Sequence, residues 1–193
     1  MYQGLKAHVS RIISPTAEEM AFFCTKFKTL NFPKKSNIIH PGQYTDHEYF
    51  VVKGCLTSYY LDKKGHKHII QFAIEDWWIG DFDAFYNHKP SKLYVEALEP
   101  AELLAISYKD LEEVYQEAPL FERYFRILVT RGFITQQGRV LSTLEKSAQE
   151  RYEEFCQRYP TIEKRVPNYQ IANYLGISAE SLSRIRKRLT TTH

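Results

Sequence analysis

The stretch Gln170-Ile-Ala-Asn-Tyr-Leu-Gly-Ile-Ser-Ala-Glu-Ser-Leu-Ser-Arg-Ile-Arg-Lys-Arg188 gathers side chains that could read a nucleic acid. Arg184, Arg186, Lys187 and Arg188 can neutralise phosphates, the interaction that dominates nucleic-acid affinity. A guanidinium such as that of Arg184 can also take guanine O6 and N7 together, and Glu180 can accept from cytosine N4. Ser181 and Ser183 suit phosphates or base edges. Asn168, Tyr169, Gln170, Ser178 and Ala179 complete the candidate DNA-contact set. A plainer alternative stays open at this level. Two amphipathic helices can simply pack in a helical core, with a basic end complementing a helix dipole.

Such chemistry needs elements to hold it. Ile171 and Leu175 fall on one face of a first helix, four residues apart. Gly176 supplies a left-handed residue for a sharp turn. Ser178 stands where an N-cap belongs, with Glu180 near the positive end of the next helix. Leu182, Ile185 and Leu189 give that helix a buried stripe and leave its cations outside. Helix, glycine turn, helix is the unit whose second helix enters the major groove.

Upstream the character differs. From about Thr29 to Ile106, short β-branched and aromatic runs alternate with turn signals, which predicts a sandwich, roll or barrel. Asp62-Lys-Lys-Gly65 is a hairpin turn. A helix is predicted over 15–28, capped by Ser14 with Pro15 in its first turn. After Ser107 the reading is helical: a short helix to Gln116, a long one from Pro119 through about Leu144, and another over 148–158. In the long helix Leu120, Tyr124, Ile127, Ile134 and Leu141 follow a seven-residue repeat, beside a second stripe of Phe121, Phe125 and Leu128. Two stripes imply two partners, the β domain and a second copy of the helix, unless one wide helix packs wholly into its own core. Gly132 and Gly138 are costly in a helix unless close approach across a seam requires them. The expected segments are 1–106, 107–144 and 145–193.

Composition narrows the classes. Of 193 residues, 14 are Tyr, 12 Phe and 2 Trp, so a sizeable core is available, and the net charge of +3 makes basicity matter only where it clusters. Cys24, Cys55 and Cys156 are isolated, with no CxxC pair or zinc-like spacing, which predicts a reduced, cytoplasmic chain without metal or cofactor. No signal segment or membrane span is expected. His66 and His68 share a strand face, as metal ligands would, but Glu75 fits poorly as the acidic ligand of a cupin-like metalloenzyme. No nucleophile–base set has catalytic spacing. Trp77-Trp78 could wall a pocket or belong to the core.

A β-roll, a long helix and a C-terminal helix-turn-helix, in that order, resemble the Crp/Fnr family of bacterial transcription regulators. The residues carrying the resemblance are Ile171-Ala172, Leu175 to Ser178, Glu180-Ser181-Leu182 and Arg184-Ile185, with Gly42, Gly54, Gly65, Gly80-Asp81 and Val95-Glu-Ala97 in the β domain. The resemblance implies an α+β fold: an N-terminal β-roll or jelly roll like a cyclic-nucleotide-binding domain, a dimerisation helix, and a helix-turn-helix domain. It implies a homodimer that binds double-stranded DNA, a small-molecule effector, RNA polymerase as a further partner, and no enzymatic activity. The effector pocket would be Gly80, Asp81, Phe82, Asp83, Ser91 and Lys92.

Departures from the pattern carry information. Members that bind cyclic nucleotides have Gly-Glu and then an Arg that clamps the phosphate; here the pair is Gly80-Asp81 and the Arg position is Ser91. Lys92 falls on the opposite strand face. A serine hydroxyl cannot replace a bidentate guanidinium, so weak or absent cyclic AMP binding is expected. The cysteines cannot imitate the family's iron–sulfur cluster. Ala179 stands where members often have an Arg, and no wing is expected after the last helix. The rival readings are an effector-binding protein acting through protein contacts and, further off, a cupin-like metal protein.

Overall fold

The computed structural model describes residues 2–191. It separates into two compact units, 1–58 with 72–132, and 59–71 with 133–193. These bounds differ from the three expected segments. The break falls inside the long helix, and the tip of one β-hairpin groups with the C-terminal helices.

The first unit opens with helices α1 (Gln3–Ser10) and α2 (Ala17–Thr25). The cap of α2 is Thr16, not Ser14: its hydroxyl accepts from Glu19 N at 3.1 Å while the Glu19 carboxylate accepts from Thr16 N at 2.7 Å. Reciprocal capping satisfies two donors at once, which a Ser14 cap could not do. Eight strands follow: β1 (Phe27–Phe32), β2 (Asn37–Ile39), β3 (His47–Lys53), β4 (Leu56–Leu61), β5 (Lys67–Ala73), β6 (Trp78–Ile79), β7 (Tyr94–Ala97) and β8 (Ala101–Ser107), with a short helix α3 (Phe82–Asn87) after β6.

The strands form two four-stranded sheets, ordered β1-β8-β3-β6 and β2-β7-β4-β5. β8 is the spine of the first sheet. It pairs antiparallel with β1, Phe27 opposite Ile106, and with β3, His47 opposite Ser107. Ile39, Val51, Leu56, Val95 and Leu103 fill one core cluster with side chains from both sheets.

A second, aromatic cluster joins α1, α2 and the sheet to helices α4 (Tyr108–Glu117) and α5 (Leu120–Glu145). Phe23 stacks on Phe121 with centroids 4.1 Å apart, and Trp78 meets Phe125 edge-on at 5.0 Å. Trp77 and Trp78 are therefore core partners, each packed against a buried cluster. Such aromatic pairs add stability beyond the area they bury.

This arrangement revises the two-stripe reading of α5. Tyr124 is fully buried, its hydroxyl accepting from Trp78 Nε1 at 3.1 Å and pairing with His8 Nδ1 at 2.7 Å. Leu120 packs against the same cluster, as does Leu128 from the other stripe. Leu120 and Tyr124 thus belong to the core of their own unit. Ile134 and Leu141, farther along, are 58 % and 46 % exposed. Both stripes are covered near the start of the helix, and Ile134 and Leu141 are left open farther along. Gly132 meets nothing within 4 Å of where a Cβ would lie. Gly132→Ala should therefore stabilise the single chain by about 1 kcal/mol in denaturant unfolding at low protein concentration; a loss of stability there would reveal a close neighbour.

The second unit adds α6 (Ala148–Arg158), α7 (Pro160–Arg165), α8 (Asn168–Tyr174) and α9 (Ala179–Thr191). Ser147 and Glu150 form a second reciprocal cap at the start of α6. Tyr152, Phe155, Ile162, Val166, Ile171, Leu182 and Ile185 make the core.

Candidate nucleic-acid interface and effector centre

Leu175 ends α8, and Gly176 follows at φ +68°, a conformation that only glycine adopts at low cost. Ser178 Oγ then accepts from Ser181 N at 3.1 Å and caps α9. Leu182 and Ile185 are buried beneath, with Leu189 half-buried. That fixes the outward face of α9. Ser178, Ala179, Glu180, Ser183, Arg184, Lys187 and Arg188 are exposed, and Ser181 is partly so. Arg184 reaches Ser181 Oγ at 3.4 Å, and the Glu180 carboxylate sits below its ordinary range because its own backbone N–H and Ser178 donate to it.

Two members of the expected contact set are otherwise engaged. Gln170 is only 4 % exposed, its Nε2 donating to Tyr169 OH at 3.2 Å. It belongs to the core of the helix pair, because its position in α8 points inward beside Ile171. Arg186 ties elements together, donating to Asn168 Oδ1 and to Glu163 Oε1, the latter at 3.1 Å. Asn168 and Tyr169 stand exposed at the start of α8.

The tip of the β4–β5 hairpin is bonded to these helices within the same unit. Asn173 of α8 accepts from Ile69 N at 2.7 Å and donates to Lys67 O. Arg139 of α5 donates to Ile70 O at 2.8 Å and lies 4.8 Å from the Tyr174 ring. Beyond them Asp62 gathers His66 at 3.1 Å and His68 at 3.3 Å. Its carboxyl is held well below the usual range, first by the His66 backbone N–H. The histidine pair therefore braces a turn. Glu75 accepts from Gly54 N at 2.8 Å, remote from any role as third ligand. Among the described residues no group of three or more His, Cys, Asp or Glu is placed to hold a metal.

Of the expected effector residues, Gly80, Asp81 and Ser91 lie together in the first unit, whereas Phe82, Asp83 and Lys92 are exposed. Asp81 caps α3, its Oδ1 accepting from Asp83 N at 3.1 Å and Ala84 N at 3.3 Å. Ser91 Oγ donates to Asp81 Oδ2 at 2.7 Å. Both residues are buried, at 5 % and 3 % exposure. Phe82 and Asp83 face outward, Asp83 paired with Lys89 at 2.7 Å, and Lys92 is exposed as well. Gly80 lies under a residue that the sequence reading did not single out. A Cβ there would stand 2.4 Å from the carboxylate of Glu48.

With the geometry described, comparison with known proteins becomes informative. A family model for the cyclic nucleotide-binding domain matches residues 29–118. The cAMP-activated global transcriptional regulator CRP of Pasteurella multocida is 24% identical over 193 residues, covering 94% of this chain and 90% of that protein. Regulatory protein HlyX of Actinobacillus pleuropneumoniae is 27% identical over 167 residues, covering 80% and 69%. Among solved structures, FixK2 of Bradyrhizobium japonicum matches with a TM-score of 0.75 at 19% identity, over 86% of this chain and 85% of its own. The c-di-GMP responsive global regulator CLP of Xanthomonas campestris matches at 0.70 and 16%, over 92% and 93%. Residues 29–118 thus match the cyclic nucleotide-binding domain, and most of the chain is similar to transcription regulators of the Crp/Fnr type.

Within that Crp/Fnr frame the effector centre is what departs. Ser91, to which the resemblance assigned the arginine position of cyclic-nucleotide-binding members, is buried and bonded to Asp81. Beside it are carboxylates rather than cations. Glu48 is 3 % exposed, and neither of its side-chain oxygens has a hydrogen-bond partner. Burial first, then the nearby Asp81, pushes its pKa up to about 8. Glu48 lies on the same face of β3 as the fully buried Phe50, but β3 is buried on both faces, so alternation alone did not mark it. No helix of the described residues is long and apolar enough to cross a membrane.

Proposed function

We propose that this chain is a homodimeric, sequence-specific DNA-binding regulator, working in the cytoplasm as a binding protein rather than an enzyme. The exposed face of α9 enters the major groove of double-stranded DNA, and α5 pairs with its copy to set half-site spacing. RNA polymerase is then the downstream partner. One observation carries the reading: Leu182 and Ile185 anchor α9 from below while Glu180, Ser183, Arg184, Lys187 and Arg188 are left outside. Arg184 reads guanine; Lys187 and Arg188 hold phosphates.

A gel shift with genomic fragments at stated salt tests this. Arg184→Ala should cost about 1–3 kcal/mol, roughly 5- to 150-fold, at the preferred sequence. Lys187→Ala should weaken all sequences alike and lower the salt slope by about 1. A uniform failure to retain any fragment specifically would favour a protein that acts through protein contacts alone.

The cyclic-nucleotide-like β domain is an effector domain that does not take cyclic AMP. A cyclic phosphate would meet Ser91 already bonded to Asp81, with the Glu48 carboxylate over Gly80 and no guanidinium among the expected pocket residues. Desolvating an anion beside carboxylates is unfavourable twice over. Calorimetry should give no heat of binding with cyclic AMP; a micromolar dissociation constant would overturn this.

A further inference from the structure

The buried carboxylate of Glu48 has no structural partner. Most buried polar side chains are hydrogen-bonded, and one that is not calls for a physical reason. Both Glu48 oxygens lie against Gly80, at the shortest 2.4 Å from the position of an absent Cβ, so any side chain at Gly80 would displace them. Asp81 is next in the chain, with one oxygen occupied by two backbone N–H groups and the other by Ser91. Ser91 Oγ in turn accepts from Leu93 N at 3.0 Å. The centre thus holds two acids and a hydroxyl, and one acid is wholly unsatisfied. We propose that the site beside Gly80, lined by Glu48, Asp81 and Ser91, takes the ammonium or guanidinium head of a small organic cation as its effector.

The chemistry favours that class over the other cations. A hard metal ion wants six or more oxygens, and no sufficient ligand group stands among the described residues. An ammonium or guanidinium brings several N–H donors, which match an acceptor-only carboxylate with both oxygens open. Such a ligand converts a buried, unpartnered acid into a charge-assisted pair. Entry requires α3 to shift, since Asp81 is both its cap and a wall of the site. Cation binding would therefore be felt at the helix following Gly80.

This inference deepens the reading of the β domain as an effector domain, and it is tested without DNA, so either can fail alone. The intact chain is titrated calorimetrically with methylamine, methylguanidine and putrescine at millimolar concentration, with magnesium and cyclic AMP as further arms. At least one organic cation should bind and raise Tm. Because Glu48 ionises to receive it, binding should release a proton, seen as a heat that changes with buffer ionisation enthalpy. Glu48→Gln, similar in shape, should weaken binding at least tenfold and abolish the proton release, and Glu48→Leu should remove binding altogether. Circular dichroism and cooperative melting certify that both variants fold. Binding of magnesium or cyclic AMP in place of the amines, organic-cation binding unchanged in Glu48→Gln, or no heat from any organic cation would each overturn the assignment.

Discussion

Replacing Ile134 and Leu141 together (Ile134→Asp, Leu141→Asp) is expected to turn the proposed dimer into a monomer and to remove specific retention of DNA. The two residues are seven apart on α5 and more than two-fifths exposed in the single chain. Phe133, Val140 and Leu144 continue the apolar surface, Leu144 being 77 % exposed. A stripe of that size on a long helix implies burial against something. A two-fold pairing brings each residue close to its own counterpart, so the variant sets carboxylate against carboxylate. Like charges across a seam cost several kcal/mol, which is more than a hundredfold in the dimer constant. Helix-turn-helix dimers read two half-sites, so a monomer loses the joint affinity. Light scattering and a gel shift check the two effects. Circular dichroism should be unchanged, because neither side chain belongs to the buried core of the single chain. A dimer that survives both substitutions would place the seam elsewhere.

Glu48→Leu is expected to stabilise the protein, against the common direction of core substitutions. A buried, unsatisfied polar group costs about 1–3 kcal/mol, and leucine of similar volume removes that cost while filling the space. The pH dependence separates this from simple repacking. The Glu48 pKa rises from 4.5 in the unfolded chain to about 8 in the folded one. The folded state therefore binds the extra proton between these values, and stability falls as pH rises through that window. Below it the group is neutral in both states, and above it the penalty is complete. The gain from Glu48→Leu should be smallest near pH 5 and largest near pH 8, measured by urea unfolding. A destabilised variant, or a gain independent of pH, would mean that Glu48 is held by partners in the folded state.

Such a liability survives at effector sites because binding needs it. Proteins commonly leave uncompensated groups where a ligand completes them, at a cost in stability. The family resemblance of Gly80-Asp81 marked the place, and the burial of Glu48 beside it left an acid without a partner.

Local signals in the chain already settled the type of each large element. Alternating β-branched and aromatic runs, the Asp62–Gly65 turn, and the Gly176–Ser178 turn and cap act over a few residues, so their outcome does not wait on the rest of the fold. The order of those elements pointed to the family, and the cations of α9 to its ligand. What the tertiary structure alone decided was which partner each apolar or polar side chain met. Tyr124 and Ile134 lie on one heptad stripe, yet one is core and the other open, because only the first part of α5 packs into the aromatic cluster of its unit. Gln170 and Arg186 look like their exposed neighbours in sequence, and only the tertiary structure buries the one and ties the other to Asn168 of α8 and Glu163 of α7. Glu48 became an isolated buried acid because Gly80, distant in the chain, lies directly beneath it. Periodicity specifies a face, but long-range contact determines whether that face is covered, and by what.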